Sequence, residues 1–386
     1  MYCNKGYGEV SMNQQKHFVY DNHSSRVIKG VAIIMMFVHH FFGFPKWVSL
    51  SNTYVSVLPS ELLIDLGKSF KICVGLFVFS SGYAMYVKRD EYKNLKYCIK
   101  KLMVFLIQYW MIQLFFIFAG ICLQEPLPTI SRFILNMFGL CTATGFRWSY
   151  NNAIHPVFAW YVSFYIIFTL LQPMLQKISK FNFWIDNILY AFIFHLPYFI
   201  LVRQTWITFP DDVMSVLLRV AMWGHVGMIG FLFAKYDIFS RIDDLFTKLL
   251  HEKGTIMMCI VLIIGVFFFR MKFPWFVHSI TFDTIYTPIL IYSIVKLSNL
   301  SRKFQECMKF LGKYSMNLWF LHAIFFTPNL SLQWLAYVPK YPIMIIAWTL
   351  TIMLMISIPF AKLQGKIVSL ISKKESKIQE RVRYLN

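Results

Sequence analysis

The sequence contains ten long segments that are almost free of charged residues, and these segments constrain the fold more than any other feature. Each approaches the ~20 apolar residues that a helix needs to cross a bilayer core about 30 Å thick. The segments occupy residues 27–45, 69–87, 102–123, 157–175, 187–202, 213–234, 256–270, 283–298, 308–327 and 342–362. Because a transmembrane barrel would instead show short strands of alternating polarity, the sequence predicts an all-α integral membrane protein, a bundle of about ten transmembrane helices.

The composition supports this fold class and excludes others. Of the 386 residues, 58% are hydrophobic and 15% are charged, whereas about a quarter of an ordinary soluble domain is charged. This balance excludes a soluble enzyme and a disordered chain. The 7 cysteines are odd in number and lack the C-x-x-C spacing of a metal or redox site. We therefore predict no disulfide framework and no metal site.

The distribution of positive charge along the chain indicates its orientation in the membrane. The net charge is +20, from 38 Lys and Arg residues against 18 Asp and Glu residues. If the N-terminus is cytoplasmic, 27 of the 38 basic residues lie on the cytoplasmic side and nine lie outside. This bias predicts that both termini are cytoplasmic, in a multi-pass protein of the inner or plasma membrane. Since the basic residues are dispersed and form no stripe with aromatic residues, no nucleic-acid partner is expected.

Three regions follow from this topology. Residues 1–26 form a polar cytoplasmic segment without a signal-peptide pattern, and residues 27–362 form one membrane domain. Residues 363–386 show apolar residues at helical spacing opposite lysines and arginines, which predicts a basic amphipathic tail lying on the anionic lipids of the inner leaflet. The apolar segment 130–141 is too short to cross the membrane and is predicted to be an interfacial or re-entrant helix.

Ionisable residues inside spans are costly and are functional candidates for that reason. The first span carries Lys29 at its cytoplasmic start and His40 eleven residues later. Eleven residues bring a side chain back to within about 20° of the same helix face, about 16 Å further along the axis. A cation and an imidazole in this register suit a ligand with anionic groups at one end and a reacting group at the other. The alternative is that His39 and His40 only hydrogen-bond to neighbouring helices.

Four blocks of the sequence resemble membrane-bound acyltransferase family 3, which includes O-antigen, capsule and peptidoglycan O-acetyltransferases. The first helix of that family carries Arg or Lys, ten residues and then His, as Lys29 and His40 do. The segment FVFSSGYAMYVKR, with Ser81 and Tyr83, resembles the F-x-x-S-G-Y block of the family. The segment LGKYSMNLWFLHAIFF, with His322, resembles its late block.

The fourth block, FAWYVSFYIIFTLLQPML with Trp160 and Pro173, resembles the family's central region, and the likeness covers about residues 25–360. Two features depart from the family pattern. A glutamate that some members carry in the fourth span is missing, which leaves the acceptor-side chemistry open. No extracytoplasmic hydrolase-like domain is appended, so we expect a single-domain enzyme that presents the acyl group directly to its acceptor.

The resemblance implies an O-acyltransferase that uses cytoplasmic acyl-CoA as a co-substrate, with acetyl-CoA as the leading candidate. It implies no permanently bound cofactor. It implies as acceptor a hydroxyl of a cell-surface glycan or of its lipid-linked precursor. His40 and Lys29 are the expected catalytic residues, with His40 acting as general base or as acyl carrier. Arg26, Lys29, Lys100 and Lys101 are expected to hold the phosphates of CoA, because lysine is an adequate point-charge partner for phosphate.

Further polar and aromatic residues are candidates for the path of the acceptor or the thioester, with packing as the alternative for each. These candidates are His39, Ser81, Tyr83, Arg147, His155, Trp160 and His322. A second function is a transporter or flippase for a lipid-linked glycan, which inverted repeats would favour. The sequence shows no such repeats, although prolines interrupt two spans. A purely structural membrane subunit would leave the register of Lys29 and His40 unexplained.

Overall fold

A computed structural model of the full chain gives the structure of the protein. It describes residues 18–44, 59–122, 124, 129–140, 160–203, 211–273, 280–326 and 332–385. The described part consists of helices and connecting turns and contains no strand. The predicted all-α class is therefore confirmed.

The helices are numbered here in chain order. They are α1 (Asn22–Phe42), α2 (Ser60–Ser69), α3 (Cys73–Val87), α4 (Arg89–Tyr92), α5 (Leu95–Cys122), α6 (Ile130–Met137), α7 (Trp160–Ile178), α8 (Phe183–Arg203), α9 (Asp211–Lys235), α10 (Ile238–Lys272), α11 (Ile280–Ser298), α12 (Arg302–Lys313), α13 (Ser315–Leu321), α14 (Gln333–Ala336) and α15 (Pro342–Leu385). Two 3₁₀ helices, Phe70–Ile72 and His322–Phe325, follow α2 and α13 directly.

Within the described residues, 6 helices are long and apolar enough to cross a membrane. They are α1, α5, α8, α9, α10 and α15. The remaining predicted spans coincide with helices that are shorter or carry more polar residues. The structure thus confirms a helical protein suited to a membrane, while the number of about ten spans and the cytoplasmic location of both termini stay predictions.

The ninth predicted span, residues 308–327, is not one helix. Helix α12 ends at Lys313, and Tyr314 has non-helical angles (φ −101, ψ 9) before α13 begins. Helix α12, which precedes this break, is amphipathic rather than apolar, and its exposed residues include Arg302 and Lys303. The part after it is buried almost throughout and leads into the 3₁₀ turn that starts at His322. The division therefore separates a polar surface helix from a short buried one.

Helix α10 is also divided. His251 adopts a left-handed φ of 56°, which interrupts an otherwise continuous 35-residue helix. The predicted seventh span, 256–270, lies wholly in the second part. The first part is highly polar and contributes exposed residues such as Asp244 and Lys248.

Two further segments that were predicted to be helical are helices in the structure. Residues 130–137 form the short helix α6, which α5 holds through a hydrogen bond from the Tyr109 hydroxyl to the Asn136 carbonyl, 3.0 Å. The predicted tail is helical as well, and it continues the last span without a break within α15. Their locations relative to the membrane surface stay predictions.

Helix α1 lies inside the bundle. In the apolar windows of the six long helices, 61% of the residues of α1 and 78% of those of α9 are buried, against 17–33% in the other four. Helix α1 packs against α2, α3, α11, α12 and α13. The buried side chains of α1, including those of His39 and His40, therefore face other helices rather than lipid, and this position makes the two histidines available for an internal site.

Candidate active site

The His40 end of α1 holds a pair of buried histidines, His40 and His322. Nδ1 of His40 lies 2.8 Å from Nε2 of His322, and the two rings stack at 4.9 Å between centroids. His40 is 8% exposed and His322 is fully buried. His322 belongs to the 3₁₀ turn after α13, so residues that are 282 positions apart in the sequence meet here.

The hydrogen bonds of His322 assign the protons of this pair. Nδ1 of His322 lies 3.2 Å from the Leu318 carbonyl, which can only accept, so Nδ1 carries the proton. In neutral His322 the other nitrogen, Nε2, is then an acceptor. Nδ1 of His40 must donate to it, and Nε2 of neutral His40 carries the lone pair. The pair therefore presents a basic nitrogen on His40 that is oriented by a histidine from a distant segment.

His39 is adjacent in sequence but makes a different contact. Its Nδ1 lies 2.9 Å from the carbonyl oxygen of Gly67 at the end of α2. The carbonyl accepts, so His39 donates from Nδ1 and ties α1 to α2. His39 is as buried as His40, and its ring centroid lies 5.0 Å from that of His40. The structure thus gives His39 a positioning contact beside the histidine pair.

The Lys29 end of α1 holds three cations from two helices. Lys29 is half-buried, and its ammonium group interacts electrostatically with Arg26 on the same helix and with Lys101 on α5. Within the described residues, none of the three forms a salt bridge with a carboxylate. Lys100, the neighbouring residue on α5, is exposed. The predicted donor-binding residues Arg26, Lys29 and Lys101 therefore do come together.

Glycine contacts fix where this cationic group lies. A Cβ atom on Gly30 would overlap the Met308 carbonyl of α12, and one on Gly312 would overlap the Arg26 carbonyl of α1. The two helices therefore cross with their backbones in contact, directly beside Lys29 and Arg26. The space around the lysine is set by backbone packing rather than by flexible side chains.

Ser81 and Tyr83 lie on α3 away from the histidine pair. The Ser81 hydroxyl donates to the Phe77 carbonyl, 2.9 Å, and is also hydrogen-bonded to Tyr161. The Tyr83 ring packs edge-to-face on Tyr20, which precedes α1. Both residues are therefore level with the N-terminal part of α1, where Lys29 lies, and their contacts are those of helix packing.

Trp160 lies at the first residue of α7 and packs against α9. The Arg219 guanidinium stands 4.8 Å from the centre of the Trp160 ring, and Trp223 stacks on it at 6.4 Å. Arg219 is 8% exposed. A buried cation over an aromatic face is a favourable arrangement when both groups are desolvated. Arg147 and His155, the other residues predicted for the acceptor path, lie outside the described residues.

A second group of charges near His40 was not among the sequence-based candidates. The Arg270 guanidinium forms a salt bridge with Asp283, and its Nε donates to the Ser69 carbonyl, 2.8 Å. Both partners of this bridge are buried. Lys71, two residues after Ser69, interacts electrostatically with Arg270, Asp283 and Arg219. The sequence did contain one signal for this group. Arg270 and Lys71 lie at the outer ends of predicted spans, where the excess of basic residues on the cytoplasmic side gives no reason for a cation.

Two other polar groups of the bundle do not join this site. His195 and His225 hydrogen-bond to each other at 3.1 Å, and His225 also contacts Asn187. A cavity of about 630 Å³ opens beside the first turn of α1 and is lined by Asp21, Glu252, Lys296 and other residues. Its carboxylates balance its lysines, so it lacks the excess of positive charge seen at Lys29. Within the described residues, no group of three metal-ligating side chains occurs.

The long apolar helices and the ionisable residues enclosed by them define an all-α membrane protein with an internal polar site. A family model with the description "Acyltransferase domain" matches residues 22–363. The chain belongs to this family, membrane-bound acyltransferase family 3, so the family predicted from the sequence is confirmed. No curated protein and no solved structure matches the chain.

Proposed function

We propose that this membrane acyltransferase transfers an acyl group from cytoplasmic acyl-CoA to a hydroxyl of a cell-surface glycan or of its lipid-linked precursor. The leading candidate for the acyl group is acetyl. The observation that carries the proposal is the arrangement on α1. A cationic group that forms no salt bridge with a carboxylate in the part of the chain that the structure describes stands at Lys29, and an oriented histidine pair stands three helical turns further on at His40.

The cationic group suits the donor. CoA carries phosphates at one end and its thioester at the end of a long flexible arm. Phosphate oxygens that contact Lys29, Arg26 and Lys101 would supply the negative charge that these residues lack. The arm would then extend along α1 and bring the thioester towards His40, about 16 Å away for eleven residues of helix.

The histidine pair suits the transfer step. Nε2 of His40 takes the proton of the acceptor hydroxyl while the hydroxyl oxygen attacks the thioester carbonyl carbon. The carbon–sulfur bond then breaks, the ester forms, and the proton leaves with CoA as its thiol. The hydrogen bond from Nδ1 to His322 is retained in the imidazolium and holds its orientation, and general-base catalysis of this kind typically supplies 10²–10⁴-fold.

An acyl-histidine intermediate is a second route through the same atom. In that route Nε2 of His40 attacks the thioester and the CoA thiolate leaves. The acceptor hydroxyl then takes the acyl group from Nε2, and its proton passes to the thiolate to give the CoA thiol. Both routes need His40 as an acceptor at Nε2 and a donor at Nδ1. The contact with His322 supports both equally.

The test is replacement of His40 in cells that normally express the protein. We expect His40→Ala to abolish the esters of the surface glycan, as measured by NMR of the isolated glycan before and after base treatment. His195→Gln, on α8, is the matched control and should leave the esters unchanged. Normal ester content with normally expressed His40→Ala protein would refute the proposed role of His40. Loss of the glycan itself from the surface would favour the transporter alternative.

A further inference from the structure

The histidine pair is surrounded by aromatic rings. In the part of the chain that the structure describes, the rings that contact His40 or His322 are those of His39 and of three phenylalanines, Phe37, Phe44 and Phe326. The Phe326 ring meets both histidines edge-on, with its centre 6.1 Å from that of His40 and 5.9 Å from that of His322. The Phe37 ring lies 5.4 Å from His322. We call Phe37 and Phe326 the aromatic wall of the site.

Both members of the aromatic wall are packed against further aromatic residues. Phe326 is 1% exposed and Phe37 is fully buried. Their rings pack on Phe41, at 4.8 Å from Phe326 and 5.9 Å from Phe37. Phe41 is held in turn by Tyr337, whose hydroxyl donates to the Phe41 carbonyl, 2.9 Å. Because a close-packed interior has no room for a displaced phenyl ring, the aromatic wall has a fixed position.

The proposed reaction brings the acyl group to these rings. In both routes the carbonyl carbon of the thioester lies at Nε2 of His40, either bonded to it or attacked by the hydroxyl that it holds. The remainder of the acyl group extends from that carbon and must lie among the residues around the imidazole. Phenyl rings offer it apolar surface, and their fixed position limits its length.

We propose that Phe326 and Phe37 determine which acyl group is transferred, so that the donor carries a short group such as acetyl rather than a four-carbon group such as butyryl or succinyl. The proposal rests on the proposed function. A longer group would reach Nε2 only by displacing a buried ring, and cores tolerate such overpacking poorly. One methylene group in an apolar pocket changes specificity by about 10–200-fold. The aromatic wall is therefore the part of the site that separates donors of different length.

The proposal is tested by calorimetric titration of the full-length protein in nanodiscs, with free CoA, acetyl-CoA and butyryl-CoA as probes. We expect the wild type to bind acetyl-CoA about as tightly as free CoA, and butyryl-CoA about tenfold more weakly or less tightly still. Phe326→Ala removes the ring that contacts both histidines and should bring the affinity for butyryl-CoA to within about threefold of that for acetyl-CoA. Retained binding of free CoA shows that the variant is folded. Phe326→Leu removes fewer atoms and takes its place if the alanine variant does not bind free CoA.

The matched control is Phe325→Ala. Phe325 precedes Phe326 directly and is equally buried, at 2% exposure, but its ring packs on Phe41, 5.9 Å away. This variant should keep the preference of the wild type for acetyl-CoA. An equal change of preference in Phe325→Ala and Phe326→Ala would show general loosening of the core and overturn the role of Phe326.

Equal affinity of the wild type for acetyl-CoA and butyryl-CoA, with free CoA bound, would overturn the aromatic wall and leave the proposed function standing. Failure of free CoA to bind the wild type would refute the proposed donor and this inference with it. The proposed role of His40 fails separately, if His40→Ala leaves the glycan esters intact while the wild type still prefers acetyl-CoA.

Discussion

The two ends of α1 place charge in opposite ways. At the Lys29 end, three cations stand together and form no salt bridge with a carboxylate among the described residues, and their geometry depends on backbone contacts between α1 and α12. At the His40 end, two imidazole rings are joined by a hydrogen bond. The first arrangement binds by charge, and the second positions one nitrogen. A single rigid helix can thus connect a binding group to a reacting group.

The largest expected effect comes from breaking the histidine pair. His322→Leu removes the acceptor of the His40 Nδ1 proton and should lower kcat for acyl transfer about 10²-fold with little change in KM for acetyl-CoA. His322→Gln places an amide oxygen near the position of Nε2 and should retain most of the rate. The two variants are compared by release of CoA from acetyl-CoA in proteoliposomes. Equal rates for the Leu and Gln variants would contradict the orienting role.

The next effect concerns the Lys29 end. Lys29→Gln should raise KM for acetyl-CoA by about tenfold or more while kcat changes little, because a charge-assisted hydrogen bond to phosphate is lost. The salt dependence of KM should become weaker in the variant. The matched control is Lys96→Gln, an exposed lysine in the first turn of α5. A fall in kcat without a change in KM would place Lys29 at the reacting atoms instead.

A smaller effect, on stability, tests the backbone contact that fixes the Lys29 end. Gly30→Ala forces a Cβ atom against the Met308 carbonyl and should destabilise the protein by about 1–3 kcal/mol. The measurement is the midpoint of thermal unfolding in detergent. Gly365→Ala, in an open position on α15, should be neutral or stabilising. Equal midpoints for the two variants would show that α1 and α12 do not cross in this way.

The smallest effect separates His39 from His40. His39→Asn keeps a donor near the position of Nδ1 and should preserve the hydrogen bond to the Gly67 carbonyl. We expect the rate of acyl transfer to stay within about threefold of the wild type, since about 0.6 kcal/mol corresponds to that factor. The same proteoliposome measurement serves. A loss as large as that of His40→Ala would move the catalytic function to His39 or to both rings.

The local part of the site could be predicted from the sequence, because helix geometry alone relates Lys29 to His40. The ten apolar segments likewise predicted the helical class. His322 was singled out by a sequence block, but its pairing with His40 depends on how α13 packs against α1. That contact joins residues far apart in the chain, and no local pattern encodes it.

Three features of the structure were not predicted from the sequence, and each has a physical reason. The break at Tyr314 occurs inside an apolar stretch because the preceding helix α12 is amphipathic and extends well before that stretch. The salt bridge between Arg270 and Asp283 joins the ends of two successive helices, so its partners were assigned to separate spans. Lys71 lies near the start of the second predicted span and has no motif in the sequence that singles it out, although its neighbours make it part of a charged cluster.

The most direct test of the central claim is a double-mutant cycle on the histidine pair. Acyl transfer in a single turnover is measured for wild type, His40→Ala, His322→Leu and the double variant, all purified and checked for equal unfolding midpoints. If His322 acts through His40, the double variant should be no slower than His40→Ala alone. If the two losses instead multiply, the residues act independently, and the account of an oriented base at His40 is contradicted.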